Sequence, residues 1–559
     1  MNVFSKILEV FKTYTYADKI ISVLSLAVFL LMLVKMILFP YGLFGFGQNN
    51  IYTEGLVAKN GIQSINPLFV DYNEADREVS RLVFSGLMKY DTSKKAVVDD
   101  MAHLIISEDK KDYVFTLRDG LKWHDGQSVT INDVYFTFHD LILNPAFPND
   151  ILKTNFSGVK VTKIDAKSIK FSLEKPNAFF VSNFLVGILP QHILKDVNPV
   201  DILQNDFNKK PIGSGPYMVT DAIESFADGR SQITLTRSDI FYGEKSEIEQ
   251  MRFIVYPTTD DLLSHIDAVN GVVKVSGANI MDFLKGERFN LVPYELPQYT
   301  AVFMNMESKI LKDLAVRSAL SASLDKDVYI GDSLDKISIN TPILELKEKD
   351  LAYKYNIDLA NTNLKTTGYK YAADDVDKSG IRSDKDGNNL ELRMIARLYD
   401  DGSYQFNETK NLVKFMVDSW RKIGVNMQVQ FLPVEAFNEK ISKRDYDILL
   451  VGQNLGYNSD TYSFWHSTQA GPLGQNLSSY KSFRVDSLIE DIRSTFDVAQ
   501  RTSKLKELAK ALNDDVPAIF LYKPIYYYAF DNKLTGLSMD GVVFPSDRFS
   551  GISIWNFQK

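Results

Sequence analysis

The 559-residue chain contains no cysteine. That excludes a disulfide scaffold, a thiolate metal site, a cysteine nucleophile and a lipid-bearing cysteine behind a leader. Histidine is scarce: only His103, His124, His139, His192, His265 and His466 occur. No two of them stand three or four apart, so no helix carries a zinc-binding pair. No run of five or more basic residues exists and the formal net charge is −8, whereas a nucleic-acid surface concentrates positive charge. The phosphate-cradling GxxxxGK[ST] loop is missing, and so is a Gly-x-Ser-x-Gly elbow; Gly213-Ser214-Gly215 has the wrong spacing. A triad can assemble from distant residues, but no motif nominates one. Neither catalysis nor a cofactor is expected, and no nucleic-acid partner.

What is present is ordinary globular material, 45% hydrophobic and 24% charged, long enough for two or three domains. Ile20–Phe39, IISVLSLAVFLLMLVKMILF, holds one charge, Lys35. Twenty helical residues reach about 30 Å, the depth of a bilayer core. Lys6, Lys12 and Lys19 precede it, which favours a cytoplasmic N-terminus. Pro40, Tyr41, Leu43 and Phe44 follow it, a poor context for signal cleavage. The expectation is an uncleaved anchor over 20–39. Residues 1–19 would be cytoplasmic or interfacial, 40–50 a tether, and the bulk of the chain extracytoplasmic.

Farther on, hydrophobic spacing changes from one period to the other. Thr130 can cap a helix bearing Val134, Phe138 and Leu141. Leu412, Phe415, Met416, Trp420 and Ile423 share a helical face that Gly424 can end. Val425 to Phe431 alternates as a strand, Val434, Phe437 and Ile441 mark another helix, and Asp447–Val451 another strand. That order implies a mainly parallel sheet covered by helices. Leu505, Leu508, Ala509 and Leu512 form a late helix before the apolar strand Ala518–Tyr522. Ser383–Asn389, SDKDGNN, has the look of a calcium loop. Position twelve, where the liganding Glu belongs, is Ile395, so it reads as a surface turn.

Asp112–Gly126, DYVFTLRDGLKWHDG, is a strand followed by two turns. It resembles the signature of bacterial extracellular solute-binding proteins of family 5, the binding subunits of peptide and nickel ABC importers. Six further segments resemble that family in order: Ser64–Leu68, Leu82–Tyr90, Gly187–Leu194, Pro211–Tyr217, Leu314–Asp327 and Ser463–Gln469. The resemblance covers about Tyr52 to Met539. It implies a two-lobe α/β fold of the periplasmic-binding-protein type II kind with an extra subdomain, here preceded by one transmembrane helix. It places lobe I at 51–300 plus 515–559, the extra subdomain at 92–200 and lobe II at 301–514. The lobes would be joined by crossings near Tyr299–Asn305 and Val516–Tyr522.

The resemblance also implies solute held between the lobes, with ABC permease and ATPase subunits as partners of a monomer. Peptide is the leading solute; a metal chelate, an oligosaccharide or a signalling peptide is the alternative, and an ectoenzyme on the same scaffold comes behind. Family peptide binders place an Asp for the ligand's amino terminus where this chain has Gly456. Asp460 is the nearest acid: it either takes that role from a shifted loop or caps a turn. Gly452, Gln453 and Asn454 can offer backbone and amide groups to an extended peptide. Tyr462 and Trp465 either wall the pocket or belong to the core. His466 and Asn66 complete the candidate set, and no metal ligand is expected.

Overall fold

The computed structural model describes residues 51–558, apart from 276, 347–350, 352, 353, 401, 402 and 473, together with Thr15. The segments expected at 20–39 and 40–50, and all of 1–19 except Thr15, lie outside the described residues. Among the described residues no helix is long and apolar enough to cross a membrane.

Two β-sheets organise the chain. The first lobe begins with β1 (Ile51–Val57) and α1 (Glu74–Val83), whose first turn is capped by Asn73. β2 (Ala102–Ile106), β3 (Asp112–Leu117), β4 (Lys160–Lys163) and β5 (Ser168–Ser172) build a small antiparallel sheet of order β2-β3-β5-β4. All four lie inside the interval read as an extra subdomain. Between β3 and β4, Thr130 and Asp133 form a reciprocal capping box, and Val134, Phe138 and Leu141 are buried. The helix widens to π geometry over Phe136–Ile142.

β6 (Tyr217–Val219), β7 (Ser231–Arg237), β8 (Gln250–Tyr256), β9 (Gly271–Val275) and β10 (Phe289–Glu295) are further strands of this lobe. The second lobe holds β11 (Gln298–Met304), β12 (Glu391–Arg397), α2 (Tyr404–Arg421), β13 (Asn426–Leu432), α3 (Val434–Lys443) and β14 (Ile448–Asn454). α4 (Phe483–Ser494) and α5 (Val498–Asp515) follow, and then β15 (Ala518–Asp531). β12 is parallel to both β13 and β14, as the strand–helix–strand order implies.

β15 belongs to both sheets. The first runs β6-β7-β8-β1-β9-β15 and the second β13-β12-β14-β11-β15. Tyr522 still pairs with Thr300 of β11, whereas Ile525 pairs with Glu295 of β10. The switch between the two ladders falls at Leu296–Pro297 and at Lys523–Pro524. Each switch carries a proline, which has no N–H to donate and so suits the place where one ladder ends. Each lobe has its own core: Val79, Phe115, Trp123, Phe253 and Trp555 pack together in the first, and Met394, Trp420 and Leu450 in the second.

The signature segment acts on this scaffold rather than on a ligand. Trp123 is fully buried, and its backbone N–H closes the turn onto Gln127 O. His124 Nδ1 accepts from Gly213 N at 3.2 Å, so Nε2 carries the proton and donates to Gly215 O at 2.9 Å. Burial lowers its pKa, which keeps the ring neutral. The 211–217 loop is in turn pinned to α1: Gly215 N donates to Val83 O at 2.8 Å. A Cβ on Gly213 would lie 1.9 Å from that same oxygen. Two of the family-like segments thus lock together and fix the C-terminal end of α1, the helix that carries Arg77 and Arg81. The 383–389 segment is a turn in which Asp384 Oδ1 accepts from Asp386 N and Asn388 N, both at 2.9 Å.

Candidate functional site

Two cavities meet at Asn454, the last residue of β14. The first, about 490 Å³, sits at the carboxyl ends of the parallel strands β12 and β14 and the N-terminal turns of α2 and α3. That is where an open α/β sheet leaves a crevice. Gly452, Gln453 and Asn454 line it, beside Tyr299, Tyr404, Tyr522 and Tyr526. Gln453 is held in place: its Oε1 accepts from Tyr299 OH at 2.5 Å and its Nε2 donates to Gln475 O at 3.3 Å. Two acids face this cavity and share one cation. Lys336 Nζ is 3.1 Å from Asp335 and 3.3 Å from Glu408.

The second cavity, about 420 Å³, lies between the lobes. The first lobe contributes Arg77, Ser80 and Arg81 of α1, with Phe544 and Ser546. The second contributes the loop after β14, including Gly456, Tyr457, Asn458 and Asp460. Asn454 Oδ1 accepts from Gly456 N at 2.9 Å, and Gly456 has φ +59°. A non-glycine residue adopts that backbone region at a cost. The bend sends Tyr457 across to the first lobe. There it contacts the rings of Tyr90 and Phe544 at 5.3 and 5.0 Å, and its hydroxyl donates to Asp547 Oδ1 at 2.5 Å.

The sequence candidates divide. Gly452, Gln453, Asn454 and Asp460 line cavities. The Asp460 carboxylate is already engaged: Arg493 Nε approaches Oδ2 at 2.9 Å and Tyr462 N donates to Oδ1 at 3.0 Å. Burial pushes its pKa up even with Arg493 alongside. Trp465 lines neither cavity; it packs in the core near Phe303 and Phe520. Tyr462 stacks on His466 at 4.2 Å and sits under the Arg493 guanidinium. His466 is buried, with Nδ1 2.9 Å from Thr468 Oγ1. Asn66 is fully buried, donating to Asn208 Oδ1 and accepting from Leu68 N; its neighbour Pro67 reaches the cavity instead. None of these four side chains lines either cavity.

Sequence reasoning did not single out Arg77, Arg81, Tyr457 or Ser546. The one available signal was the i, i+4 spacing of Arg77 and Arg81, which puts both on one face of α1. Among the described residues no cluster of three or more His, Cys, Asp or Glu is arranged to hold a metal ion.

Comparison with known proteins adds the following. The model of a family described as bacterial extracellular solute-binding proteins, family 5 Middle, matches residues 97–475. The oligopeptide-binding protein AppA of Bacillus subtilis is 26% identical over 485 residues, covering 83% of this chain and 85% of the relative. The structure of AppA in complex with a nonapeptide superposes with a TM-score of 0.72 at 23% identity, covering 91% of this chain and 99% of that one. NikZ from Campylobacter jejuni, in complex with Ni(L-His), gives 0.73 at 26% identity over 91% and 99%.

Proposed function

Because this chain belongs to the bacterial extracellular solute-binding proteins of family 5, we propose that it captures peptides between its lobes and presents them to an ABC importer. The observation that carries this reading is the pair of cavities joined at Asn454, walled by both lobes. Two cavities side by side suit a chain-like solute that can occupy both. The end of β14 gives it a strand edge, and the Asn454, Gln453 and Gln475 amides give it neutral hydrogen-bonding groups. Tyrosines along the wall supply apolar contact while leaving hydroxyls for water, which suits loose side-chain preference. AppA, crystallised with a nonapeptide, points the same way.

Closure about the two proline-marked crossings is the mechanism we assign. Solute favours the closed arrangement only through contacts it gains there. Residues 20–39 would hold the protein to the membrane, with the lobes on the extracytoplasmic side near permease and ATPase subunits. N-terminal sequencing of protein taken from membranes tests the anchor; a mature start near residue 45 refutes it. Mass spectrometry of solute released from the purified full chain tests the ligand. Short peptides are expected. A nickel chelate without peptide, the cargo crystallised in NikZ, would replace this reading with the alternative one.

A further inference from the structure

The charges that line the interlobe cavity do not balance at its surface. Four charged side chains face it: Asp71, Arg77, Arg81 and Asp460. Three are matched at short range. Arg77 donates to Asp71 Oδ1 at 2.6 Å and lies over the Phe544 ring at 4.0 Å. Asp460 has Arg493 at 2.9 Å. Arg81 differs, because its nearest anion is Asp547 Oδ1 at 4.0 Å, beyond hydrogen-bond reach. That carboxylate is already supplied: Tyr457 OH donates to Oδ1, and Val543 N and Phe544 N donate to Oδ2 at 3.0 and 2.9 Å. Among the described residues the Arg81 guanidinium therefore has no acceptor at bonding distance, although its side chain is only 19% exposed.

A second donor lines the same cavity. Ser546, the residue before Asp547, is 1% exposed, and its hydroxyl has no hydrogen-bond partner. A buried hydroxyl left unpaired is costly, so an orphan at a cavity wall marks a place a ligand atom can fill. On the other side the second lobe offers neutral groups from Asn454, Tyr457, Asn458, Ser463 and Gln475. In the adjoining cavity the two acids, Asp335 and Glu408, face two cations: both contact Lys336, and Arg397 lines the same wall.

We propose that Arg81 and Ser546 form an anion subsite: the solute seats a carboxylate on them, and a free amino end meets no unpaired counter-charge in the cleft. A carboxylate can take two donors from a guanidinium and a third from the hydroxyl, a charge-assisted arrangement stronger than neutral bonding. The preferred solutes are accordingly anionic, and blocking the amino group of a peptide should not weaken its capture. This deepens the peptide reading of the cleft and rests on it.

The test uses the purified full chain, stripped of solute by unfolding and refolding, and three forms of one tryptic casein digest. One form is untreated, one is acetylated at its amines and one is amidated at its carboxyls. Retention on ultrafiltration is read by mass spectrometry. Acetylation should change retention less than ~2-fold, and amidation should lower it at least ~10-fold, the scale of a lost charge-assisted bond. R81Q should bind weakly and treat the untreated and amidated forms alike, with R81K restoring part of the difference. S546A, a smaller change that keeps the Arg81 charge in place, should lower retention of the untreated form by ~3–10-fold. Amidated peptides held as well as untreated ones, with acetylated ones lost, would overturn the anion subsite while leaving peptide capture standing. Retention of no form at all would sink the peptide reading and this subsite with it.

Discussion

Tyr457→Phe gives the most direct test of closure. The ring is kept, so its contacts with Tyr90 and Phe544 at 5.3 and 5.0 Å survive. What disappears is one hydroxyl that donates to Asp547 across the lobes. Asp547 is fully buried, and burial pushes its pKa up. A bond to such a group is worth about 1.5–3 kcal/mol. If the contact exists only when the lobes are together, its loss falls on the closed state. The dissociation constant for a peptide identified by mass spectrometry should then rise roughly 10- to 100-fold. The ligand-free melting temperature should stay within about 2 °C of wild type, because the open form never made the bond. Titration calorimetry and a ligand-free thermal scan measure the two quantities. Were the bond instead permanent, the full cost would appear without ligand, as a drop of about 2–4 °C per kcal/mol for a lobe of this size. A lowered ligand-free melting temperature with unchanged affinity would therefore refute the closure mechanism.

Three further predictions follow the same logic. Gly213→Ala places a Cβ 1.9 Å from Val83 O and should cost about 3 kcal/mol in urea unfolding through forced backbone movement; an unchanged midpoint would show that the loop is not tightly seated on α1. Asp460→Asn keeps an acceptor for Tyr462 N but removes the charge facing Arg493. Because Arg493 is partly solvated, we expect about 1–2 kcal/mol of stability lost and little change in affinity; the reverse pattern would assign Asp460 to the ligand directly. Burial, countered by Arg548, raises the Glu78 pKa to about 7 from an ordinary 4.5. The folded state then holds a proton that the unfolded state releases at lower pH, so this group's stabilisation is full below about pH 4.5 and is lost as pH rises through 7. Glu78→Gln should lose less stability than wild type between pH 5 and pH 8 in urea titrations. Parallel profiles for the two proteins would contradict the raised value.

The fold was legible where one period dominates. In α2, Leu412, Met416 and Trp420 are buried as their spacing implies, and β14 lies where the apolar run at 447–451 puts it. β15 was read only as the apolar stretch Ala518–Tyr522, yet it continues to Asp531. Pro524 marks where the strand leaves one sheet for the other, and local sequence does not say that a second sheet receives it. The cavity walls were less legible. Gln453 and Asn454 stand at a strand end and could be picked out by the chemistry of their side chains. Arg81 and Ser546 come from segments far apart in sequence, and each is functional only by juxtaposition. The periodicity of α1 tells that Val79 and Leu82 face a core; it does not tell what the arginine face meets. Aromatic residues were ambiguous for the same reason: Trp465 and Tyr457 lie in one loop, and one turns into the core while the other reaches the opposite lobe.

The arrangement of the first lobe also dictates when it can be completed. Glu54 of β1 and Glu78 of α1 are both buried, and both carboxylates meet Arg548, at 3.2 and 2.6 Å. Strand β15, which pairs with β9 beside β1, and the Pro545–Ile554 segment that carries Arg548 both follow α5 in sequence. Until they arrive, β1 lacks part of its sheet and two acids lack the cation that makes their burial tolerable. The second lobe is built from one contiguous stretch together with the start of β15. A chain made N-terminus first thus cannot lock its leading lobe until residues beyond α5 have been made. The order of synthesis itself guards against premature closure of that lobe.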